Sequence, residues 1–430
     1  MTVASSPAHS RTGFATLLAE ALADDVLARF LRYVQIDTRS QEGSESFPST
    51  AKQLDLARVL VDELRQIGLD DVHLGQHGYV TATLQATPGQ DGPAIGLIAH
   101  MDTSPEAEGA GVKPQIWRNY QGGDITLPGD PHQLLRPDDM PALHDHVGHD
   151  LVTSDGATLL GADDKGGAAA IVAAVAYLKR HPEIAHGPIK VGFTPDEEIG
   201  QGTRYFDIAG FGAVAAYTVD GHCAGEVEDE TFSASAAVVT IRGHNTHPGT
   251  AKGKMVNSIK LAAQLLAKLP PDALSPETTE ERQGYIHPMA VEGSVEHTTL
   301  RFILRDFDEA LLAEHEALLR RLAHEVEAAE PRAQVSVEVT RSYRNMKEYL
   351  KDHPRVTEAA EEAVRRAGLT PRRTLIRGGT DGARLSEQGL PTPNLSAGGH
   401  NVHSVREWTT VQDLANNAAT LVHLAQVWTE

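Results

Sequence analysis

The chain has 430 residues, 40% of them apolar, a single cysteine, and 59 acidic against 38 basic side chains, for a net charge of −21. That balance excludes nucleic acid and anionic membrane surfaces as partners, because phosphate recognition needs clustered positive charge. One cysteine excludes an internal disulfide and a thiolate-rich metal site and fits a reducing cytoplasm, so any metal must be held by His, Asp and Glu. The length exceeds one ordinary core, so two domains are expected, and no run of about 18 apolar residues is present to cross a bilayer.

Met1–Thr12 is small and polar, lacks the basic-then-apolar order of a signal peptide, and reads as a frayed extension. Asp24–Tyr33 and Thr50–Ile67 carry helical apolar spacing, Tyr79–Leu84 alternates like a strand, and Ala94–Ala99 is a short apolar strand ending at His100. Pro105–Asp150 is rich in Gly, Pro, Asp and His without period and reads as a long functional excursion. Gly166–Arg180 is an Ala-rich helix; Ile189–Thr194 and Val214–Val219 are strands. This alternation up to about residue 228 predicts a mostly parallel α/β sheet. The pattern then changes: strands at Ala236–Arg242, Thr299–Leu304 and Gln334–Thr340 mix with helices at Asn257–Leu269 and Phe307–Ala329, with a polar loop over Pro270–Pro288. A small α+β sandwich inserted in the first domain is expected over 232–344, splitting the catalytic domain into 1–231 and 345–430. Helices return at Pro354–Ala367 and Thr410–Val427, separated by a Gly-rich loop.

Chemistry gathers where predicted strands end. His100-Met101-Asp102 is an H-x-D in which residues i and i+2 point the same way, so Asp102 can brace the imidazole. Asp163-Asp164 stands at a helix mouth; one acid suffices as a cap, and the other is free to bridge two metals. Glu197-Glu198 follows a strand, and a glutamate pair can divide metal binding from proton transfer. Asp220 ends another strand, and His403 lies in a late Gly-rich loop. Open α/β sheets bind ligands at the carboxyl ends of their strands, so the chain reads as a two-metal hydrolase.

Ala99–Pro105, Leu160–Lys165, Phe193–Glu198, Tyr217–Gly221, His247–Gly253, Arg305–Asp308 and Ile376–Gly382 together resemble the peptidase T family of tripeptide aminopeptidases, in the aminoacylase/carboxypeptidase clan of dizinc peptidases. The resemblance covers nearly everything after about residue 25. It implies two Zn2+ per subunit, with Co2+ or Mn2+ as substitutes: His100, Asp163 and Asp220 around one, and Asp163, Glu198 and His403 around the other. It further implies Glu197 as general base, Asp102 as brace, a cis peptide bond at Asp163-Asp164, and a homodimer in which His247 of an inserted lid reaches the partner's active site. Arg305 and Arg377 become candidates for gripping a substrate carboxylate, and short peptides become the substrates. His400, where tyrosine is expected, and Ser404-Val405-Arg406 depart from the family pattern. A related dizinc dipeptidase or carboxypeptidase-type amidohydrolase would use the same metals, and a non-catalytic peptide-binding relative would lack a ligand or the base.

Three other motifs compete. Gly221-His-Cys-Ala-Gly225 imitates a nucleophile elbow, but Glu226–Glu230 does not look like the helix an elbow requires. Gly249–Lys254 imitates a phosphate loop but lacks its Ser/Thr. His144, His146 and His149 could chelate metal, yet in an irregular acidic loop they read as surface histidines without a ligand role.

Overall fold

A computed structural model describes residues 12–430. Of the extension expected over Met1–Thr12, all but Thr12 lies outside the described residues, and Thr12 donates to the Gly148 carbonyl at 3.0 Å. The chain divides into two compact units: one built from the residues up to Asp229 with Tyr349–Thr374 and Thr380–Glu430, the other from Glu230–Glu348 with Leu375–Gly379.

The first unit is α/β. Its eight-stranded sheet runs Asp70–Leu74, Val80–Leu84, Ile189–Thr194, Ile95–His100, Ala215–Gly221, Asn394–Ser396, Glu226–Thr231, Arg372–Ile376 in spatial order. The four central strands from Ile189–Thr194 to Asn394–Ser396 are mutually parallel, and antiparallel pairs flank them. Ile95–His100 is buried at every position, as a strand covered on both faces must be. The helix Ala162–Arg180 lies against it and is buried almost all round, which is why its sequence is nearly all alanine, glycine and valine. Its close seat on the sheet depends on Gly167: a Cβ there would stand 1.8 Å from the carbonyl oxygen of Val219. Leu17–Tyr33, capped by Thr16, and Val411–Val427, capped by Thr410, pack beside it.

The second unit is a four-stranded antiparallel sheet in the order Tyr285–Gly293, His297–Asp306, Ser233–Arg242, Gln334–Tyr343. The central strand Ser233–Arg242 buries alternate residues, and the helices Ser258–Leu266 and Glu309–Ala329 contribute Leu261, Leu265, Leu319 and Val326 to one core with Val239, Ile241, Leu300 and Phe302.

Several strands escape the sequence reading, and for four of them the physical reason is plain. Asp70–Leu74 is a polar, half-exposed edge strand. Glu226–Thr231 reads Glu-Val-Glu-Asp-Glu-Thr, yet pairs antiparallel with Asn394–Ser396. Arg372–Ile376 opens on two exposed arginines. Tyr285–Gly293 carries Pro288, which a strand tolerates only at an edge or bulge; it is the edge strand, and its register shifts between Pro288 and Ala290. The polar loop predicted over Pro270–Pro288 therefore ends at Tyr285. Within Pro105–Asp150 lie the short strand Gln115–Trp117, which joins Leu151–Thr153 and Trp408–Thr410, and a two-strand ribbon.

Candidate metal centre

The parallel strands deliver the site. His100 is the last residue of its strand, Glu197 and Glu198 follow Ile189–Thr194, and Asp220 is the penultimate residue of Ala215–Gly221. Asp163 opens the Ala162–Arg180 segment with non-helical torsions, and its peptide bond to Asp164 is cis. His403 arrives from the loop after Asn394–Ser396 in a left-handed conformation, φ 60°, which histidine seldom adopts.

The two carboxylate oxygens of Asp163 face different histidines. Oδ1 lies 2.9 Å from His100 Nε2, and Oδ2 lies 3.4 Å from His403 Nε2. Asp220 Oδ1 stands 3.4 Å from His100 Nε2, and Glu198 Oε2 stands 2.9 Å from His403 Nε2. His100, Asp163 and Glu198 bring ligand atoms within 4.8 Å of one another, and so do His100, Asp164 and Asp220. Asp164 is nevertheless committed elsewhere: its oxygens accept the backbone N–H groups of His100 and Gly167 at 3.1 Å each. Asp163, whose oxygens meet only imidazoles, is the better bridge.

The donors fit a pair of cations. Glu198 Oε1 is buried without a hydrogen-bond partner, a state that costs about 1–3 kcal/mol unless something positive meets it. Two imidazoles and three carboxylates in one pocket match the hard and borderline ligands of divalent metals. The electrostatics agree. Burial, then the Asp163 charge, pushes Glu198 up to about 8, and burial raises Asp220 to about 6. Burial alone would raise Asp163, but its hydrogen bonds to His100 and His403 outweigh that and hold it well below the carboxylate range. Burial opposes protonation of His403, yet Asp163 and Glu198 raise it to about 11. Each histidine is thus held by anions toward a cationic state, which a metal would replace.

Glu197 belongs to neither ligand group; burial and then the Asp220 charge raise its carboxyl well above the ordinary value. Asp102 faces His100 and also performs a second task. His100 Nδ1 meets the backbone carbonyl of Asp102 at 3.0 Å, with the carboxylate farther away at 3.5 Å. The carboxylate itself accepts Glu197 N–H at 3.0 Å and Glu198 N–H at 3.2 Å.

Sequence reasoning missed three supporting groups. Glu407, 1% exposed, accepts the N–H groups of Leu160, Gly161 and Asp163 at 2.8, 2.7 and 3.1 Å, and so fixes the turn that presents Asp163. Asp196, between Pro195 and the glutamates at φ 59°, is held by Ser49 and Gln53. His222 and Asp220 line a cavity of about 20 Å3 with Asp163, and Glu228 pairs with His222 at 3.3 Å, raising it to about 9. For Glu407 the only available signal was its position four residues after His403; the partners it caps are 244 to 247 residues away.

The remaining predicted residues lie in the second unit. His247 is exposed, caps the short helical turn Pro248–Thr250, and accepts Gly249 N–H on Nδ1 at 3.1 Å. Arg305 directs Nη1 to the carbonyls of Leu304 and Ser235. Arg377 is fully engaged: Nη1 donates to the carbonyls of Glu281 and Gln283 at 2.7 and 2.9 Å, Nη2 meets Thr279, and the guanidinium sits over Phe232. Of the decoys, Cys223 is disposed of by burial and then Glu226, which raise its thiol to about 11, and by the strand that follows it in place of a helix. Gly249–Lys254 is an exposed loop that begins in the Pro248–Thr250 turn. His146 corrects the reading of surface histidines: its side chain is 13% exposed and stands 3.1 Å from Asp413, while His144 is exposed.

Comparisons with known proteins give several close likenesses. The family model described as Peptidase family M20/M25/M40 matches residues 149–427. The chain is 48% identical over 405 residues to Peptidase T of Desulfitobacterium hafniense strain Y51, covering 94% of this chain and 98% of that protein. It is 50% identical over 386 residues to Peptidase T of Halothermothrix orenii, covering 90% and 94%. The crystal structure of aminopeptidase PepT from Bacillus cereus superimposes with a TM-score of 0.72 at 25% identity, covering 95% of this chain and 99% of that one.

Proposed function

The chain belongs to peptidase family M20/M25/M40, and on that premise we infer that it is a metal-dependent tripeptide aminopeptidase, releasing the N-terminal residue of short peptides. The observation that carries the reading is the Asp163 carboxylate, one oxygen toward His100 and the other toward His403, with the uncommitted Glu197 beside it. The metals are two zinc ions, with cobalt or manganese as substitutes. His100, Asp163 and Asp220 would hold one; Asp163, Glu198 and His403 would hold the other. When bound, the pair polarises the scissile carbonyl and acidifies the attacking water.

The protein's own groups do the rest. Glu197 removes a proton from the attacking water and delivers it to the departing amine. Asp102 keeps Glu197 and Glu198 in place through their backbone N–H groups. His247 stabilises the developing oxyanion. Its Nδ1 already accepts a backbone N–H, so the proton sits on Nε2 and that nitrogen is a donor. The second unit, about residues 232–344, serves as lid and dimerisation domain, and His247 acts on the partner subunit's site. The enzyme works as a homodimer in the cytoplasm. Arg305 grips the substrate carboxylate; Arg377, with its donors already bound to the 279–283 segment, shapes the lid. No helix among the described residues is long and apolar enough to cross a membrane.

The test is to incubate zinc-loaded protein with di-, tri- and tetrapeptides, free and N-acetylated, and to identify products by mass. Loss of one N-terminal residue from free tripeptides above all others is expected. Preferred cleavage of dipeptides, or release of C-terminal residues, overturns the assignment in favour of a dipeptidase or carboxypeptidase-type enzyme. No turnover by protein that binds peptides and holds its metals identifies a non-catalytic relative.

A further inference from the structure

A second group of imidazoles and carboxylate lies in the first unit and shares no residue with the centre above. His146, His149 and Asp413 place ligand atoms within 4.8 Å of one another. They come from segments far apart in the chain: His146 and His149 follow the short helix Ala142–Asp145, and Asp413 stands in the first turn of Val411–Val427. His400 joins them. Its Nε2 is 3.3 Å from the Asp413 oxygen that His146 Nε2 approaches at 3.1 Å, and its ring stacks on Trp408 at 3.9 Å between centroids.

The hydrogen-bond inventory of this group does not close with neutral side chains. His146 Nδ1 lies 2.6 Å from the carbonyl oxygen of Ala142, which can only accept, so the Nδ1 proton is fixed there. A neutral His146 therefore aims the Nε2 lone pair at a carboxylate oxygen of Asp413. Two acceptors at 3.1 Å repel unless a proton or a cation lies between them. His149 Nδ1 is buried and has no hydrogen-bond partner. Burial lowers the His149 pKa, so that ring is neutral and its lone pair is available. Burial would lower His146 as well, but the Asp413 hydrogen bond outweighs it. Asp145, Asp150, Asp413 and the neighbouring imidazoles face these rings, and Arg118 pairs with Asp150. The spacing suits a small divalent ion: donors at about 2.0–2.2 Å around a tetrahedral zinc stand roughly 3.3–3.6 Å apart, near the observed 3.1 Å between His146 and Asp413.

We propose that His146, His149 and Asp413 form a mononuclear site for a zinc-class cation, independent of the dinuclear centre. His400 Nε2, 3.3 Å from Asp413 Oδ2, orients that carboxylate. The site ties the 142–149 segment to the start of the last helix.

The experiment is a metal count on the full-length protein. Wild type and the variants His149→Ala and Asp413→Asn are stripped with chelator, dialysed against Zn2+, and measured for zinc per folded chain. Each variant should hold one zinc fewer than wild type treated alongside it, and the zinc-dependent rise in Tm should shrink. Equal zinc in wild type and both variants overturns the site and leaves a protonated His146–Asp413 ion pair. If the variants fail to fold, a His100→Ala/His403→Ala double variant decides: with the dinuclear donors removed it should retain one zinc bound, and retention of none overturns the site. Because the double variant reads this site without the other, failure of the dinuclear assignment is seen separately.

Discussion

Asp102 Oδ1 accepts the backbone N–H of Glu197 at 3.0 Å, and the other oxygen accepts that of Glu198 at 3.2 Å. The residue beside His100, a candidate metal ligand, thus also sets the position of the proposed base and of a second candidate ligand. Asp102 is 0% exposed, so these bonds are shielded from water. Asp102→Ala should lower activity or metal affinity by roughly 10–100-fold, as loss of a ligand-orienting partner generally does. Metal titration and steady-state kinetics on the same preparation check it; unchanged values for both would remove Asp102 from the machinery.

Glu197→Gln should retain the full metal complement while kcat falls by about 10²–10⁴-fold, because one side chain both takes and returns the proton. Metal content measured beside kcat is the check. Metal lost in step with activity would show that Glu197 and Glu198 exchange roles.

The stripped protein should become less stable as pH rises. Glu198 is raised to about 8 and Asp220 to about 6, so between about pH 4.5 and 8 the folded state binds more protons than the unfolded chain, and stability falls with increasing pH. Zinc reverses the slope, since protons compete with it for the same oxygens. Urea midpoints at pH 5.5 and 8.5, with and without zinc, test this. A midpoint that climbs with pH in the stripped protein contradicts the environments assigned to these acids.

The two arginines should separate. Arg305→Ala should raise KM for peptides with a free carboxylate by about 10–100-fold, the worth of one charge-assisted hydrogen bond. Arg377→Ala should lower Tm, because it deletes the bonds that hold 279–283. Equal KM changes in both variants would return Arg377 to the substrate.

His247→Ala should cut kcat by about 10²–10³-fold, the usual loss for one oxyanion donor, with metal content intact. Mixing it with Glu197→Gln after subunit exchange should restore activity, since one site of each mixed dimer regains both groups. Mixed dimers without activity exclude action across the interface.

The candidate ligands are legible because strand ends are. An apolar run stopping at His100, Thr194 or Val219 announces where the next polar side chain emerges, and the resemblance turned those positions into a set. The polar strand Glu226–Thr231 gave no such signal; its acids are accommodated by partners such as Asn394 and Arg373, which only the fold brings near. The two-residue spacing turns Asp102 toward the imidazole, and its carboxylate stands 3.5 Å from His100 Nδ1, with its backbone carbonyl nearer at 3.0 Å. His146 was taken for surface because its neighbours in sequence are polar. Its burial comes from Trp408 and Asp413, more than 260 residues away.

Glu407 links the beginning of the site to its end. The turn at Leu160–Asp163 is made early, but its three N–H groups find their acceptor 244 to 247 residues later. During translation, then, four proposed ligands and the base leave the ribosome long before His403 and Glu407 do. The nascent chain carries an unfinished hydrolase, with Asp163 unrestrained and one imidazole absent, until the segment 403–407 emerges. Peptide-cleaving capacity arrives in one step, with that loop.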